Sequence, residues 1–466
     1  MDLSPELFVD LVPLQDFGGV PFSELLVKMM EAELDPARVR AALETINKRL
    51  PAPVLRPQCV EDGGYLVEEQ VLVPRKSTWW FVLQDAEERL STELDAESVP
   101  VVADFLRLAA HAQDEQKVRA AWPFDGDEWL GRLFTRRPDA RWLMPQTPGI
   151  YRLEHATLLI RSRTTGILLD PISLQRRLPN MKRLMPRMPT EAVNAVAITH
   201  GHVDHWHLPS LLANLPRPEV PVVVPRVAYP SLLTFEDFHA TLKLVGQETI
   251  APAWGGMFRV GDIEVDVLPF YGEQPLREGD KLREGLRSWG NCYRFTTEDF
   301  SCLVLVDAGA DPEGDMVQVV AESQRRRGPV DAVLACQRTF LSPFFGGLSH
   351  YWAAMPWSQL QGLYRDYKAG RLRSSTASPQ GAAEACVAAH ARYFLGYANG
   401  FEGMHSPITD VGWGDGEPSE ERCNTLMREA LGKLGGSTQV LEWRPGQVAR
   451  FDKGQLTVEP LALSEP

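Results

Sequence analysis

The chain has 466 residues, of which 44% are apolar and 24% are charged, a composition typical of globular proteins with a sizeable core. Its length favours two domains. The net charge of −14 argues against a nucleic-acid-binding surface, which needs a basic patch, and against binding to anionic membranes.

The first residues contain no basic region followed by an apolar run, so we expect no secretory signal. The sequence contains no stretch of about 18 consecutive apolar residues, so we expect no transmembrane helix. The six cysteines are scattered and form no C-x-x-C pair. This pattern predicts reduced, mostly buried thiols in a cytoplasmic protein.

Residues 1–145 are predicted to form a separate α+β domain. Val54 to Cys59 and Tyr65 to Val73 have the pattern of a β-hairpin. Trp80 to Leu90 and Val99 to Ala112 have the apolar spacing of helices. No group of residues in this region indicates catalysis.

The segment 145–149 contains two prolines and a glycine, which indicate a linker, and residues 148–466 are predicted to form the second domain. Short strands follow the linker. Tyr151 to Arg161 and Gly166 to Leu169 predict a hairpin that turns at Thr164-Thr165, and Ala192 to Thr199 predicts a buried strand.

The most informative segment is Thr199 to His207, which contains four of the ten histidines and an aspartate. It directly follows the apolar, strand-like run of Ala195 to Ile198. Imidazole and carboxylate groups so close together are hard to explain except as metal ligands, and they are the usual ligands of zinc, iron and manganese. The segment therefore predicts a metal site at the end of a strand.

The pattern His200-x-His202-x-Asp204-His205 after a β-strand resembles the signature of the metallo-β-lactamase superfamily. The resemblance covers roughly residues 148 to 450. It implies an α/β fold, an αββα sandwich with a two-metal site at one edge, here with an additional N-terminal α+β domain.

The run His155 to Ile160, followed by Leu168 to Pro171, is similar to the opening of the ascorbate-phosphate-lactonase-like branch of this superfamily. In that interpretation Asp170 lies behind the metal loop and orients one ligand histidine. The alternative is that Asp170 only forms a turn with Pro171. His155 and His207 lie outside the motif and are candidates for supporting the ligands or lining the pocket.

The two-metal pattern of the family requires three further ligands. Asp307 fits the bridging aspartate, because the apolar strand Leu303 to Val306 ends at it. The mid-chain ligand is usually a histidine, but none lies between His239 and His350. Glu273, close to the strand Val265 to Pro269, is the best candidate, and the nearby Tyr271 would line the pocket.

The last ligand of the pattern is a histidine near the C-terminal end. His405 follows the predicted strand Arg392 to Ala398 and a glycine loop, which is where the family places this ligand. His350 and His390 remain alternatives, and His350 would otherwise line the pocket. The resemblance thus implies His200, His202 and Glu273 on one metal, Asp204, His205 and His405 on the other, and Asp307 as the bridge.

Replacing an imidazole by the carboxylate of Glu273 adds negative charge and a harder oxygen donor, which shifts the preference from zinc towards iron. The ligand pattern with Glu273 in place of a histidine, preceded by a separate N-terminal domain, resembles that of the di-iron β-hydroxylases of chloramphenicol and nonribosomal-peptide biosynthesis. That resemblance implies two iron ions, with Glu273 and Asp307 adjusting their binding during catalysis. It also implies O2 as co-substrate and hydroxylation of an amino-acid-derived substrate.

The substrate would be a small molecule or a group tethered to a carrier protein, which residues 1–145 or the arginine-rich segment 274–290 would contact. An external electron donor is needed, because the cysteines lack the spacing of an iron–sulfur site. A homodimer through the N-terminal domain is suggested only by the resemblance. The alternative function is a di-zinc hydrolase acting on a lactone, ester or phosphoester.

Overall fold

The computed structural model describes the chain mainly from residue 78 onwards. The described ranges are 2–3, 8–14, 55–57, 65–67, 78–84, 88–111, 115–126, 128–135, 142–173, 188–202, 204–215, 217–227, 237–272, 289–311, 313–340, 369–399, 419–452 and 454–464, with a few isolated positions.

The described part of the N-terminal region combines short antiparallel sheets with three helices. Its elements are β1 (Asp2–Leu3), β2 (Phe8–Leu14), β3 (Leu55–Pro57), β4 (Tyr65–Val67), β5 (Thr78–Gln84), β6 (Arg89–Leu94), α1 (Ser98–His111), α2 (Glu115–Ala120), α3 (Glu128–Leu133) and β7 (Phe134–Thr135). The predicted hairpin is confirmed, since β3 pairs antiparallel with β4. The helix predicted over Val99 to Ala112 is confirmed and corresponds to α1.

The helix predicted over Trp80 to Leu90 is wrong. This segment forms β5 and β6, which pair with each other, and β5 also pairs with β2. The run from Thr78 to Gln84 is rich in aromatic and branched side chains, which fit a half-buried strand. Pairing of Phe81 with Leu11, 70 positions earlier, provides the tertiary contact that decides between the two structures.

The remainder of the described chain forms two large sheets and the helices that cover them. The first part contains β8 (Gly149–Glu154), β9 (Thr157–Arg161), β10 (Gly166–Leu169), a 3-10 turn (Thr190–Ala192), β11 (Ala195–Ala197), α4 (Leu208–Asn214), β12 (Val222–Val223), α5 (Phe238–Leu244) and β13 (Thr249–Ile250). With two later strands they form an eight-stranded sheet, ordered β13-β12-β11-β10-β9-β8 and then the C-terminal pair.

The second part supplies the other sheet. It contains β14 (Met257–Val260), β15 (Ile263–Pro269), β16 (Asn291–Thr296), β17 (Ser301–Val306), β18 (Ala310–Asp311), β19 (Gly314–Asp315), α6 (Met316–Arg327), β20 (Ala332–Ala335), α7 (Ser378–Ala389), β21 (Tyr393–Gly396), α8 (Glu420–Leu434) and β22 (Gln439–Leu441). The seven strands are ordered β14-β15-β16-β17-β20-β21-β22. The chain then returns to the first sheet as β23 (Gln447–Asp452) and β24 (Gln455–Pro460).

The two sheets pack face to face, as the alternation of side chains along their strands requires. In β9, Leu158 and Ile160 belong to the core between the sheets, whereas Leu159 belongs to the core on the outer side. Helices α6, α7 and α8 cover the second sheet, and α4 and α5 cover the first. The result is the predicted αββα sandwich with an extra N-terminal region.

The N-terminal region packs on the helix layer of the first sheet. Helix α1 and strand β2 both contact α4, the helix that follows the histidine-rich motif. Val9, Phe105 and Leu211 share one buried core. The predicted domain boundary near residue 145 stays a prediction, but the described part of this region adjoins the element behind the motif.

Two further expectations concern the whole chain. Among the described residues, five cysteines are free and buried, as expected for reduced thiols. No helix in the described part of the chain is long and apolar enough to cross a bilayer.

Candidate metal centre

The strand Tyr151 to Arg161 expected from the sequence is in fact two strands. Strands β8 and β9 are joined at His155 and Ala156, and His155 has a positive φ of 38°. A tight turn between antiparallel strands requires such a backbone angle, and histidine is among the residues that adopt it more often. The turn buries the His155 ring at the edge of the first sheet, beside Asp204.

Strand ends from both sheets meet at this edge. The motif follows β11, Asp170 follows β10, and Asp307 follows β17. The backbone N–H of Asn291 in the second sheet donates to the carbonyl of Thr199 at 2.7 Å, so the two sheets are hydrogen-bonded beside the motif. The fold thereby brings together side chains that lie 150 positions apart in the sequence.

The first group of potential ligands consists of His200, His202 and Asp307. The Nε2 atom of His200 lies 3.0 Å from Nδ1 of His202 and 3.6 Å from Oδ2 of Asp307. Burial, together with the neighbouring His205 and His202, lowers the pKa of His200 well below its ordinary value. His200 is therefore neutral, which is the form that binds a metal ion.

The second group consists of His155, Asp204 and His205. The Oδ2 atom of Asp204 lies 3.1 Å from Nε2 of His155 and 3.8 Å from Nε2 of His205. Oδ2 of Asp307 lies 3.0 Å from Nε2 of His205, so Asp307 faces one histidine of each group. This position between the groups fits a bridging carboxylate.

The electrostatics of the second group favour a cation. Burial alone would raise the pKa of Asp204, but His205 and His155 outweigh this effect and hold it well below its usual range. Burial opposes a charge on His205, yet Asp204 and Asp307 raise its pKa well above its ordinary value. A divalent ion would compete with that proton, because ligands must be deprotonated to bind. The donor set therefore fits metal ions.

Asp170 lies behind the motif and is fully buried. Its Oδ2 is 2.8 Å from Nδ1 of His205, and it accepts hydrogen bonds from the backbone N–H and the hydroxyl of Thr199. An acceptor at Nδ1 leaves Nε2 of His205 free to bind a metal. Thr199, which the sequence reasoning did not single out, thus fixes Asp170 and also touches Nδ1 of His200 at 3.0 Å.

Two of the candidate residues lie elsewhere. The Nδ1 atom of His207 accepts from the backbone N–H of Ser210 and lies 2.6 Å from its hydroxyl, so His207 caps helix α4. Tyr271 is half-buried and lines a cavity of about 410 Å³ with Trp254, between the second sheet and helix α6. Neither residue belongs to the two ligand groups.

Three candidates, Glu273, His350 and His405, lie outside the described residues, as does most of segment 274–290. Their assignment as ligand or pocket residues stays a prediction. His390, the remaining alternative for the last ligand, is exposed and ends helix α7 with a left-handed backbone. The structure adds His155 to the possible ligands, whereas the sequence placed it only behind the ligands or in the pocket.

Comparisons with known proteins agree with this fold. A family model described as a beta-lactamase superfamily domain matches residues 165–296. No curated protein sequence matches the chain. The fold is similar to CmlA, a diiron beta-hydroxylase from Streptomyces venezuelae, with a TM-score of 0.54 and 17% identity over 95% of this chain and 98% of that chain.

A mutant of the CmlA beta-hydroxylase gives a TM-score of 0.56 and 15% identity over the same shares of the two chains. An isothiocyanate hydrolase from Delia radicum gut bacteria gives 0.41 and 12%, over 65% of this chain and 98% of that one.

The fold and the clustered histidines and aspartates define a protein of metallo-β-lactamase fold with residues suited to metal binding. Within that fold the chain resembles CmlA, and the likeness extends over nearly the whole length of both proteins.

Proposed function

We propose that the protein is a non-haem di-iron oxygenase that uses O2 to hydroxylate an amino-acid-derived substrate in natural product biosynthesis. The observation that carries the proposal is the similarity to CmlA over 95% of this chain and 98% of the other, which includes the N-terminal region. The two ligand groups around Asp307 support it, because they offer both imidazole and carboxylate donors.

In this proposal His200, His202 and Glu273 hold one iron, and Asp204, His205 and His405 hold the other, with Asp307 between them. When bound, the irons would provide binding positions for O2 and pass to it the electrons that the external donor supplies. His155 contacts Asp204 and restrains the direction of its carboxylate. Asp170 keeps His205 in the tautomer that presents Nε2, and the burial of both side chains shields this hydrogen bond from water.

The proposed partners follow from the same reaction. The substrate is free or tethered to a carrier protein, and electrons come from an external donor. We assign the region before residue 145 to carrier contact or dimerisation, since its helix α1 packs on the helix that follows the motif. Light scattering of the full chain, with and without a carrier protein, tests both roles.

Metal analysis tests the proposed oxygenase against the di-zinc hydrolase, which the same histidines and aspartates would also suit. Protein produced without added zinc should contain about two irons per chain if the predicted ligand set is right. Anaerobic loading with ferrous ion followed by O2 should then consume O2 and change the absorption spectrum. Two zincs with esterase or lactonase activity, and no reaction of the iron form with O2, would contradict the proposal.

Two variants sharpen this experiment. Glu273→His should shift the metal preference towards zinc and abolish the reaction with O2, because it restores the ligand that hydrolases use. His239→Ala removes an exposed histidine of helix α5 and should change neither metal content nor reactivity. If Glu273→His kept the iron and the O2 reaction, the assignment of Glu273 would be wrong.

A further inference from the structure

The side chain of Tyr397 is fully buried, and its hydroxyl has no hydrogen-bond partner among the described residues. Burying an unpartnered hydroxyl costs free energy, so such groups usually have a partner in the protein, in ordered water or in a ligand. Tyr293, another fully buried tyrosine of the same core, behaves in the usual way, since its hydroxyl donates to the carbonyl of Ile198 at 2.7 Å. The unpartnered hydroxyl of Tyr397 therefore needs a specific explanation.

The strand register places Tyr397 beside the metal centre. Val306, Ala335 and Gly396 pair across β17, β20 and β21. Asp307 and Tyr397 each come one residue later, at the carboxyl ends of strands separated by a single strand. Neighbouring strands lie about 4.8 Å apart, so about 10 Å separates the two backbones, a distance that a tyrosine side chain can largely cover.

Alternation along β21 places Tyr397 on the face that is turned towards the other sheet. Tyr393 and Leu395 lie on the same face of β21, and the hydroxyl of Tyr393 accepts from the backbone N–H of Leu456 in the opposite sheet. Burial raises the pKa of Tyr397 well above its ordinary value, and the negative charges of Asp170 and Asp307 add to this effect. The phenol therefore keeps its proton and is available as a hydrogen-bond donor near these two carboxylates.

The nearby carboxylates do not accept this hydrogen bond directly. Asp170 is already bonded to Thr199 and His205. The Oδ1 atom of Asp307 is itself buried and has no partner in the described part of the chain. A buried donor and a buried acceptor in the same region, not bonded to each other, indicate that a further group lies between them. A metal ion with an oxygen or nitrogen ligand would satisfy both.

We propose that Tyr397 is a positioning residue of the metal centre, whose hydroxyl donates a hydrogen bond to the non-protein ligand of a bound metal ion. This inference rests on the metal centre of the proposed function and does not depend on the oxygen chemistry. The ligand is water in the resting protein, and a small anion such as azide would take the same place.

Cobalt(II), whose visible spectrum reports its ligands, and azide test the proposal in the full chain. Tyr397→Phe should bind the same amount of cobalt as wild type, with an altered visible spectrum and azide affinity about tenfold lower, as expected for one lost hydrogen bond to a charged group. Tyr151→Phe is the matched control, because it removes a buried hydroxyl that donates to the carbonyl of Thr147 at 2.8 Å, on the outer side of the first sheet. It should keep the cobalt spectrum and the azide affinity.

Thermal unfolding of the metal-free proteins gives a second readout. Tyr397→Phe should be at least as stable as wild type, because it removes an unpartnered polar group, whereas Tyr151→Phe should be less stable. Unchanged azide affinity in Tyr397→Phe, or a loss of metal-free stability equal to that of Tyr151→Phe, would overturn the proposal. If wild type bound no cobalt, the metal centre of the proposed function would fail with it.

Discussion

Asp170→Asn is the substitution that most directly tests how the centre is held. Asparagine is nearly isosteric with aspartate and tolerates the positive φ of 41° at this position. Its amide oxygen can still accept from the backbone N–H of Thr199, as Oδ1 does now at 2.8 Å. Its amide N–H group, however, would replace the oxygen that lies 2.8 Å from Nδ1 of His205.

Two donors would then face each other, so His205 would have to turn Nδ1 into an acceptor and move its proton to Nε2. Nε2 is the atom that lies 3.0 Å from Asp307 and is needed for the metal. Loss of such supporting carboxylates typically lowers metal affinity by about 10- to 100-fold. Burial outweighs the hydrogen bonds to His205 and Thr199 and raises the pKa of Asp170, so removing its charge should not by itself destabilise the metal-free protein.

Competition with a chelator measures the affinity of each metal, and urea unfolding of the metal-free protein measures the stability. Asp266→Asn is the control, since Asp266 is buried and pairs with Arg327 on the outer face of the second sheet. It should lower stability while both metals bind as in wild type. Wild-type metal affinity in Asp170→Asn would refute the argument that Asp170 sets the tautomer of His205.

Three further substitutions test other parts of the structure. Burial raises the pKa of Asp10 to about 6. The neutral carboxyl group therefore contributes stability that is fully present below about pH 4 and is lost as the pH rises through 6. In urea unfolding, the stability of Asp10→Asn relative to wild type should increase by about 2 kcal/mol from pH 4 to pH 7. Gly166→Ala should lose at least about 3 kcal/mol in the same assay, because its new Cβ would lie 2.0 Å from the carbonyl of Ala192. His155→Ala should weaken one of two bound metals about tenfold or more on dialysis against a chelator, since it removes the contact with Asp204. A pH-independent difference for Asp10→Asn, normal stability of Gly166→Ala or full metal retention in His155→Ala would contradict the respective argument.

Local sequence pattern was sufficient where one strand and its end define a feature. An apolar strand followed by an aspartate predicted the position of Asp307, and a strand followed by clustered histidines predicted the position of the motif. The same reasoning failed for Trp80 to Leu90, because its apolar residues also fit a helix and only the pairing with β2 decides the outcome. Local pattern does not contain that distant contact.

Features that depend on strand register or on a single backbone angle could not be predicted from the sequence either. The turn at His155 requires a positive φ, which the presence of a histidine does not predict. The proximity of Tyr397 to Asp307 depends on the alignment of three strands separated by long connections. The departure at Glu273, by contrast, is visible only in the sequence, because this residue lies outside the described part of the chain.

The centre is positioned by contacts that join the two sheets and not by the motif alone. Asn291 and Tyr293, both in β16, hydrogen-bond to the carbonyls of Thr199 and Ile198, directly before the first motif histidine. These bonds fix the end of β11, the strand before the motif, against β16, which pairs with the strand that leads to Asp307. Since the ligand atoms of each group already lie within 4.8 Å of one another, little chain entropy remains to be lost on metal binding. A substitution that loosens the packing between the sheets should therefore weaken metal binding even when every ligand is kept.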